Sequence, residues 1–268
     1  MISPQTRLAV LLGNPVAHSR SPHMLNAAFS AKKIDAVYLA WRIETDGLAA
    51  ALSTLAGTGA LGANVTVPHK EIAMRLVDSV TEAARDLQCI NCITFKNGES
   101  TGHNTDAPGL RRALKAHRIN KSGPAVILGA GGAARAAVVA LREHGLKQIA
   151  VINRSAPRRR AFAPFAKTYD VTLHPWSELD AACADARLIV NATSAQVKHE
   201  GIDLPWIQLG TPVIYDLTYG KTPLVAAAQK QGLKAFDGSR MLLEQAATAF
   251  ELWTGKKAPI DVMASVLR

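Results

Sequence analysis

Residues 125–153, AVILGAGGAARAAVVALREHGLKQIAVIN, contain the pattern that decides the fold class. The apolar run Ala125–Leu128 predicts a buried strand, and glycines follow it directly. An alanine-rich stretch then predicts a helix that ends near Gly145, and Ile149–Ile152 predict a second strand. The order strand, helix, strand defines a βαβ unit and therefore a parallel sheet.

The glycines of this unit have the spacing of a dinucleotide-binding loop. Gly129-x-Gly131-x-x-Ala134 lies between strand and helix, with the alanine that the motif permits at its third position. The first glycine allows a tight turn, and the second lets the backbone approach a pyrophosphate at the helix N-terminus. We therefore predict a dinucleotide-binding loop, with a purely structural turn as the alternative.

The end of the second strand predicts which dinucleotide is bound. NAD-binding units usually place Asp or Glu there, to accept a hydrogen bond from the ribose 2′-hydroxyl. This chain has Asn153 and Arg154 instead, with Arg158 four residues further on. Because a guanidinium group matches a phosphate and accepts no hydrogen bond, we predict NADP(H). The alternative for Arg158–Arg160 is a solvated helix start, which we expect for two of the three.

The first half of the chain also alternates strand and helix patterns. Short apolar runs predict strands, and apolar residues three or four positions apart predict helices. The predicted strands are 8–13, 36–41, 63–67 and 90–95; the predicted helices lie near 22–32, near 46–56, from about 70, and around 106–118. We therefore predict an α/β fold in this half as well.

Composition limits the class of protein. The 268 residues are 48% apolar, which is enough for a buried core in one large domain or two ordinary ones. No apolar run approaches the length of a membrane span, and the run at 8–13 is too short for a signal peptide. We therefore expect a soluble, cytoplasmic protein that does not bind a membrane.

Charge and cysteine content exclude two further classes. The formal net charge is +10, but the 31 Lys and Arg residues are mostly scattered. Their densest cluster, 154–160, lacks interleaved aromatic residues, so we expect no nucleic acid partner. Three cysteines make an odd number, which favours a reducing compartment over a disulfide framework. Cys89 and Cys92 have no second ligand pair at metal spacing, so we expect buried free thiols.

Residues 64–70, NVTVPHK, raise a question of chemistry. Val65 and Val67 alternate with polar residues as in a strand, Pro68 ends it, and Lys70 follows at once. Such a lysine is either an exposed residue that opens the next helix or a functional group held at a strand end. The heptapeptide alone leaves both interpretations open.

Six blocks, in this order and spacing, resemble the shikimate dehydrogenase family over nearly the whole chain. They are GNPVAHSRSPHMLN (13–26), NVTVPHK (64–70), GHNTDAPG (102–109), GAGGAARA (129–136), NRS (153–155) and KTPL (221–224). The resemblance implies a substrate-binding domain at 1–105, completed by about 239–268, and an NADP-binding Rossmann domain at 106–238, with the active site in the cleft between them. It also implies reversible reduction of 3-dehydroshikimate to shikimate by NADPH, a step of aromatic amino acid biosynthesis.

Lys70 and Asp106 are the catalytic residues that the resemblance implies. Reduction of a ketone by hydride leaves negative charge on its oxygen, which needs a proton donor, and the reverse reaction needs a base. The ammonium group of Lys70 serves as the acid and its free amine as the base. The carboxylate of Asp106 holds both the amine and a ring hydroxyl.

The resemblance also implies the binding residues. Ser19 and Ser21 match the pair that binds the substrate carboxylate; the alternative for Ser21 is a helix N-cap ahead of Pro22. The other implied substrate contacts are Asn64, Thr66, Lys70, Asn91, Asp106, Tyr219 and Gln245. The implied cofactor contacts are Gly129, Ala130, Gly131, Gly132, Ala133, Asn153, Arg154, Ser155, Arg158, Asn191, Ala192, Thr193 and Leu217.

Several positions depart from the family pattern. They are Ala107 and Pro108, which stiffen the turn beside Asp106, Gln196 in place of a common glycine, a short loop after Tyr219, and Arg240 where a glycine often meets the nicotinamide. Two alternatives therefore stay open. One is a paralogue that acts on quinate or an aminated shikimate, and the other is a weakly catalytic NADP-binding regulator.

Histidines near these blocks raise the question of a metal. His18, His23, His69 and His103 lie in four separate surroundings, and none matches a catalytic position of the family. We therefore expect no metal site. The expected partner is a small-molecule substrate, bound by a monomer or a homodimer.

Overall fold

A computed structural model describes residues 2–193, 202, 204–206 and 209–267. The chain forms two compact units. Unit 1 contains Met1–Thr105 and Leu243–Arg268, and unit 2 contains Asp106–Leu242. Each unit is built on its own six-stranded sheet.

Unit 1 has a mixed sheet flanked by helices. Its strands are β1 (Arg7–Gly13), β2 (Ala36–Arg42), β3 (Gly62–Val65), β4 (Ser79–Val80), β5 (Cys92–Lys96) and β6 (Glu99–His103), in the order β2-β1-β3-β5-β6-β4. Its helices are α1 (Ser21–Ala31), α2 (Leu48–Gly57), α3 (Lys70–Ala73), α4 (Glu82–Leu87), the part of α10 (Ser239–Thr254) from Leu243 onward, and α11 (Ile260–Ser265). β1 is parallel to β2 and β3, whereas β5 is antiparallel to both of its neighbours.

The C-terminal segment packs against the sheet of unit 1 through Trp253. The indole Nε1 of Trp253 donates a hydrogen bond to the backbone oxygen of Ile93 on β5, at 2.9 Å. A Cβ atom placed on Gly62 of β3 would lie only 2.0 Å from that nitrogen. The indole therefore occupies the space that the missing side chain of Gly62 leaves.

Unit 2 has a parallel sheet. Its strands are β7 (Ala125–Leu128), β8 (Ile149–Asn153), β9 (Thr172–Pro175), β10 (Leu188–Asn191), β11 (Val213–Asp216) and β12 (Ala235–Phe236). Its helices are α5 (Asp106–Ala116), α6 (Gly132–His144), α7 (Ala156–Thr168), α8 (Leu179–Ala184), α9 (Pro223–Lys230) and the start of α10. Helices connect β7 to β8, β8 to β9, β9 to β10 and β11 to β12.

The strand order of unit 2 is that of a doubly wound Rossmann fold. The order β12-β11-β10-β7-β8-β9 corresponds to 6-5-4-1-2-3 when β7 is counted as the first strand. The direction of winding reverses between β7 and β10. Ligands of such sheets bind outside the carboxyl ends of the strands at this reversal point.

The predicted α/β class and the βαβ unit are confirmed, while some element ends differ. α6 ends at His144, and the C-cap is Gly145, whose φ of 113° is the left-handed conformation that glycine permits. β3 ends at Val65, two residues before the predicted end, although Thr66 N–H still bonds to Leu12 O at 2.9 Å. The side chain of Val67 is 54% exposed. The helix predicted from about 70 is only the four-residue α3.

The turn expected at Ala107 and Pro108 is the first turn of α5. Proline is compatible with this position because the first N–H groups of a helix have no partner within the helix. The substitution of these residues for the family pattern therefore leaves a regular helix that begins at Asp106.

Candidate active site

The carboxyl ends of four strands in unit 2 bring the predicted cofactor residues together. The backbone N–H of Gly129 donates to Ile152 O at 2.8 Å, and that of Ala192 donates to Leu128 O at 2.8 Å. The N–H of Leu217 donates to Asn191 O at 3.0 Å. These bonds join the segments that follow β7, β8, β10 and β11 into one edge, at the reversal point of the sheet.

The glycine loop at this edge fits a dinucleotide. Gly129 has a φ of 111°, and a Cβ atom on it would lie 3.0 Å from Ala192 O. A Cβ atom on Gly131, the N-cap of α6, would lie 3.8 Å from Nη1 of Arg158. A helix N-terminus and a guanidinium group therefore lie side by side, and both favour a phosphate.

The arginines after β8 divide into two kinds. Arg154 and Arg158 are exposed, and the guanidinium of Arg154 lies over the ring of Trp176 at 5.8 Å. Arg159 instead donates to the backbone oxygens of Asn153 at 2.6 Å and Arg154 at 3.1 Å. Arg159 thus stabilises the turn, while the other two keep their side chains at the surface beside the loop.

Ser155 has a structural role in addition to its predicted cofactor contact. It is the N-cap of α7, and its hydroxyl oxygen accepts the N–H of Arg158 at 3.4 Å. The cap fixes the start of the helix that presents the Arg158 side chain.

In unit 1, the side chain of Asn64 is held in one orientation by Tyr38 on β2 and by Asn91, the residue before β5. The phenol of Tyr38 donates to Asn64 Oδ1 at 2.9 Å, and Asn64 Nδ2 donates to the backbone oxygen of Asn91 at 3.0 Å. Burial raises the pKa of Tyr38 well above its usual value, so the phenol stays protonated and donates. The Asn64 amide is therefore preorganised.

Asn91 lies at the centre of a second buried network. Its Oδ1 accepts the N–H of Thr105 at 2.6 Å, and its Nδ2 donates to the Thr105 hydroxyl at 2.9 Å. The same Nδ2 approaches Gln245 Oε1 at 3.4 Å, and the Thr105 hydroxyl donates to that oxygen at 3.3 Å. The structure thus joins three predicted substrate residues of unit 1: Asn64, Asn91 and Gln245.

Ser21 is not a side-chain helix cap. The N-cap of α1 is Arg20, which makes no side-chain cap hydrogen bond, and Ser21 is the first helical residue. The hydroxyl oxygen of Ser19 accepts the N–H of Ser21 at 3.2 Å. Of the two serines, Ser19 therefore holds the turn, and the N-cap alternative for Ser21 is wrong.

Lys70 opens α3 directly after a buried histidine. Lys70 is half-buried, and its backbone oxygen accepts the N–H of Ile90 at 3.1 Å. The ring of His69 is fully buried, and its Nε2 contacts the backbone oxygen of Ile43 at 2.8 Å. Because a carbonyl oxygen only accepts, this nitrogen carries the hydrogen. The lysine is thus anchored through its own backbone and through the residue before it.

The remaining predicted residues lie as follows. Thr66 follows β3 in unit 1, and its side chain is half-buried. Asp106 is buried at the start of α5, and Tyr219 is half-buried in the loop after β11, both in unit 2. Arg240 lies in the first turn of α10. Gln196 is outside the described residues.

Two buried polar residues of these networks were not predicted from the sequence. Thr105 precedes Asp106, and its side chain is 1% exposed; Asp216 ends β11 and is fully buried. For Asp216 the signal was an acidic residue directly after an apolar strand, at the carboxyl edge of a parallel sheet. For Thr105 no comparable local signal exists.

The described residues contain neither a metal-ligating cluster nor a membrane-spanning helix. No group of three or more His, Cys, Asp or Glu side chains is arranged to hold a metal there. Cys89, Cys92 and Cys183 are buried thiols that form no disulfide within the described residues. Within the same part of the chain, no helix has the length and hydrophobicity to cross a membrane.

The strand order and the glycine loop define unit 2 as a Rossmann-type dinucleotide-binding domain. Models of three protein families match successive parts of the chain. Residues 11–93 match the shikimate dehydrogenase substrate binding domain, residues 112–199 match shikimate / quinate 5-dehydrogenase, and residues 238–268 match the shikimate 5'-dehydrogenase C-terminal domain. The chain belongs to the shikimate dehydrogenase family.

Individual relatives agree with this assignment. The shikimate dehydrogenase (NADP(+)) of Natronomonas pharaonis is 40% identical over 261 residues, which cover 96% of this chain and 97% of that protein. The crystal structure of shikimate 5-dehydrogenase from Thermus thermophilus in complex with NADP(H) and shikimate has a TM-score of 0.86 at 35% identity, with 98% of each chain covered. Quinate dehydrogenase from Corynebacterium glutamicum in complex with NAD also has a TM-score of 0.86, at 30% identity, covering 97% of this chain and 98% of that one.

These findings confirm the predicted family and fold class. The predicted enzyme class, reaction and cofactor are those of the chain's NADP-dependent shikimate dehydrogenase relatives, and they are confirmed at the level of the family.

Proposed function

We propose that this chain catalyses the reversible, NADP-dependent reduction of 3-dehydroshikimate to shikimate in aromatic amino acid biosynthesis. The observation that carries the proposal is the 40% identity, over 96% of the chain, to a shikimate dehydrogenase (NADP(+)). The glycine loop, with Arg158 beside it, supports the cofactor half of the proposal.

Unit 1 is the proposed substrate-binding domain. Its preorganised amides, Asn64 and Asn91, present fixed donors and acceptors, as recognition of a ring with several hydroxyls requires. The hydroxyls of Ser19 and Ser21 bind the substrate carboxylate, because hydroxyls donate to an anion without adding charge. The full proposed set is Ser19, Ser21, Asn64, Thr66, Lys70, Asn91, Asp106, Tyr219 and Gln245.

Lys70 and Asp106 are the proposed acid–base pair. The ammonium Nζ of Lys70 gives a proton to the substrate oxygen as the ketone is reduced, and the amine takes it back in the reverse direction. The Asp106 carboxylate orients the amine and accepts a hydrogen bond from a ring hydroxyl. Lys70 belongs to unit 1 and Asp106 to unit 2, so the support for their pairing is the family match and the chemistry of the two groups.

Unit 2 is the proposed NADP-binding domain. Its glycine loop and the N-terminus of α6 hold the pyrophosphate, and Arg154 and Arg158 hold the 2′-phosphate. NADPH, when bound, supplies the hydride. The proposed contacts are Gly129, Ala130, Gly131, Gly132, Ala133, Asn153, Arg154, Ser155, Arg158, Asn191, Ala192, Thr193 and Leu217.

The cellular setting is part of the proposal. We propose a cytoplasmic enzyme, because the three cysteines are buried thiols without a disulfide in the described part of the chain, as a reducing compartment allows. The proposed assembly is a monomer or a homodimer, which the molar mass from light scattering distinguishes.

The second candidate function is that of a quinate dehydrogenase. The observation in its favour is the quinate dehydrogenase of equal TM-score, which was solved with NAD. The observation against it is the Asn153–Arg154 end of β8, which has no carboxylate for the ribose 2′-hydroxyl of NAD.

Four initial-rate assays test the proposal. Purified wild-type protein is supplied with shikimate or quinate, each with NADP or NAD. The expected result is the highest kcat/KM for shikimate with NADP. A preference for quinate or for NAD contradicts the proposal, and NADP binding without turnover of either substrate would indicate a regulator.

A further inference from the structure

Asp216 is a buried acid that no part of the proposed mechanism uses. It is the last residue of β11 and is fully buried. Its Oδ1 accepts two hydrogen bonds, from Asn191 Nδ2 at 2.9 Å and from the backbone N–H of Thr218 at 3.0 Å. One carboxylate oxygen therefore joins the segment after β10 to the segment after β11.

The first of these bonds continues to the glycine loop. Asn191 Oδ1 accepts both the backbone N–H of Thr193, at 3.0 Å, and the Thr193 hydroxyl, at 2.8 Å. Thr193 Cγ2 would lie 3.3 Å from a Cβ atom on Gly129, and Ala192 O would lie 3.0 Å from it. Asp216 thus acts through Asn191 on residues that touch the dinucleotide loop.

The second bond fixes the loop that carries Leu217 and Tyr219. Thr218 donates its N–H to Asp216, and its backbone oxygen accepts the N–H of Gly238 at 2.9 Å. A Cβ atom on Gly238 would lie 2.2 Å from Leu217 O, so the two segments are in close contact. The loop is therefore held from both sides, and Asp216 provides one of its attachments.

We propose that Asp216 is a positioning residue for NADP binding. One of its carboxylate oxygens, Oδ1, fixes the positions of the loops after β10 and β11. The inference rests on the proposed function, because it takes Thr193 and Leu217 as cofactor contacts. Asp216 itself touches neither cofactor nor substrate in this account. Its main effect is on the affinity for NADP, and its effect on the affinity for shikimate is smaller, because Tyr219 is the one proposed substrate contact on the loop that Asp216 holds.

The electrostatics of Asp216 are consistent with this role. Burial raises the pKa of the carboxyl, and the hydrogen bonds from Thr218 and Asn191 oppose the rise. The second oxygen, Oδ2, is buried and has no partner within hydrogen-bond distance among the described residues. The nearby Thr222 hydroxyl also lowers the pKa of the Asp216 carboxyl. Only Oδ1 is needed for the two bonds, so an amide in place of the carboxyl preserves both of them.

The main experiment compares Asp216→Ala with Asp216→Asn. The dissociation constant of NADP is measured by calorimetry on the intact protein, and the KM of shikimate is measured at saturating NADP. We expect Asp216→Ala to weaken NADP binding by about tenfold or more and Asp216→Asn by less than about threefold. The KM of shikimate should change in both variants by a smaller factor than the dissociation constant of NADP, because only Tyr219 among the proposed substrate contacts lies on this loop.

Two further variants separate positioning from general loss of stability. Ile214→Ala removes a buried side chain from the same strand and should lower the melting temperature without weakening NADP binding. Asn191→Asp places two carboxylates against each other and should weaken NADP binding. The double variant Asp216→Asn/Asn191→Asp exchanges the donor and the acceptor of this hydrogen bond and should recover part of the NADP affinity that Asn191→Asp loses. This comparison still tests the inference if Asp216→Ala does not fold.

The outcomes are distinct. Wild-type NADP affinity in Asp216→Ala, an equal loss in Ile214→Ala, or no recovery in the double variant overturns the inference. A wild-type protein that binds NADP but oxidises neither shikimate nor quinate contradicts the proposed function alone. A wild-type protein that does not bind NADP overturns both.

Discussion

Asn91 Nδ2 donates a hydrogen bond to Gln245 Oε1 at 3.4 Å, and so links two residues that are 154 positions apart in the chain. Thr105 donates to the same oxygen. Among the described residues, Nε2 of Gln245 makes no hydrogen bond, so its two N–H groups can donate to a ligand. Gln245 is therefore a specific donor on α10, a helix that buries mainly apolar residues.

Replacement of Gln245 by Glu should weaken shikimate binding selectively. The variant keeps the oxygen that Asn91 and Thr105 need, but it loses the N–H donors. We expect the KM of shikimate to rise by about three- to tenfold, which corresponds to one hydrogen bond, with the NADP constant unchanged. Steady-state kinetics against both substrates check this. Gln229→Glu, at an exposed position on α9, is the matched control and should behave as wild type.

Replacement of Ser21 by Ala should raise the KM of shikimate without loss of stability. The hydroxyl of Ser21 makes no helix cap, so its removal leaves α1 intact. The measurements are the KM of shikimate, the KM of NADP and the melting temperature, with Ser30→Ala in the same helix as the control. A lower melting temperature with unchanged kinetics would show that the hydroxyl is structural.

Replacement of Arg154 or Arg158 by Ala should change cofactor preference. Loss of one charge-assisted contact to the 2′-phosphate corresponds to about 1.5–3 kcal/mol, or about one to two decades in the KM of NADP. The KM of NAD should hardly change. Arg160→Ala, on the same helix and also exposed, is the control. If Arg160→Ala has the same effect as Arg158→Ala, the effect is one of general charge and the assignment is wrong.

Replacement of Gly62 by Ala should destabilise unit 1. The new methyl group would meet the indole of Trp253, so the side chain must move and its bond to Ile93 is strained or lost. Overpacking of this kind costs about 1–3 kcal/mol in the free energy of unfolding, which urea denaturation measures. Gly57→Ala, where nothing lies within 4 Å of the new atom, should stay within about 1 kcal/mol of wild type.

Local patterns in the sequence predicted the regular parts of the fold. The βαβ unit was predicted within one residue at its strands, because its periodicity and its glycines are adjacent in the chain. The hairpin between β5 and β6 was not predicted, although its turn carries a signal. Asn97 and Gly98 both have positive φ, 54° and 81°, which is the geometry that an Asn-Gly turn favours.

The residues of the candidate site were harder to predict from local sequence patterns than the fold was. The glycine loop and Arg154 followed from local chemistry, whereas Gln245 was identified only through the family resemblance. In isolation Gln245 is a polar residue in an amphipathic helix, since its partners Asn91 and Thr105 are far away in sequence. Asp216 carries a local signal, an acidic residue at the end of an apolar strand, but its bond to Asn191, 25 positions away, is not visible in the sequence.

The proposed role of Lys70 is the transfer of a proton to and from the substrate oxygen. A lysine that is merely exposed at the surface contributes little to the turnover number, whereas a general acid–base residue raises the rate by about 10²- to 10⁴-fold. The proposed role therefore predicts a large loss in turnover number and little change in NADP affinity when the amine is removed. Lys96→Ala, at an exposed end of β5, is the control for loss of a positive charge from the same unit.

The most direct test is the turnover number of Lys70→Ala for shikimate at saturating NADP, measured beside wild type after circular dichroism has shown that the variant is folded. The account predicts a loss of at least about a hundredfold. A folded variant whose turnover number falls by less than about fivefold would contradict it, and Lys70 would then be an ordinary surface lysine at the start of α3.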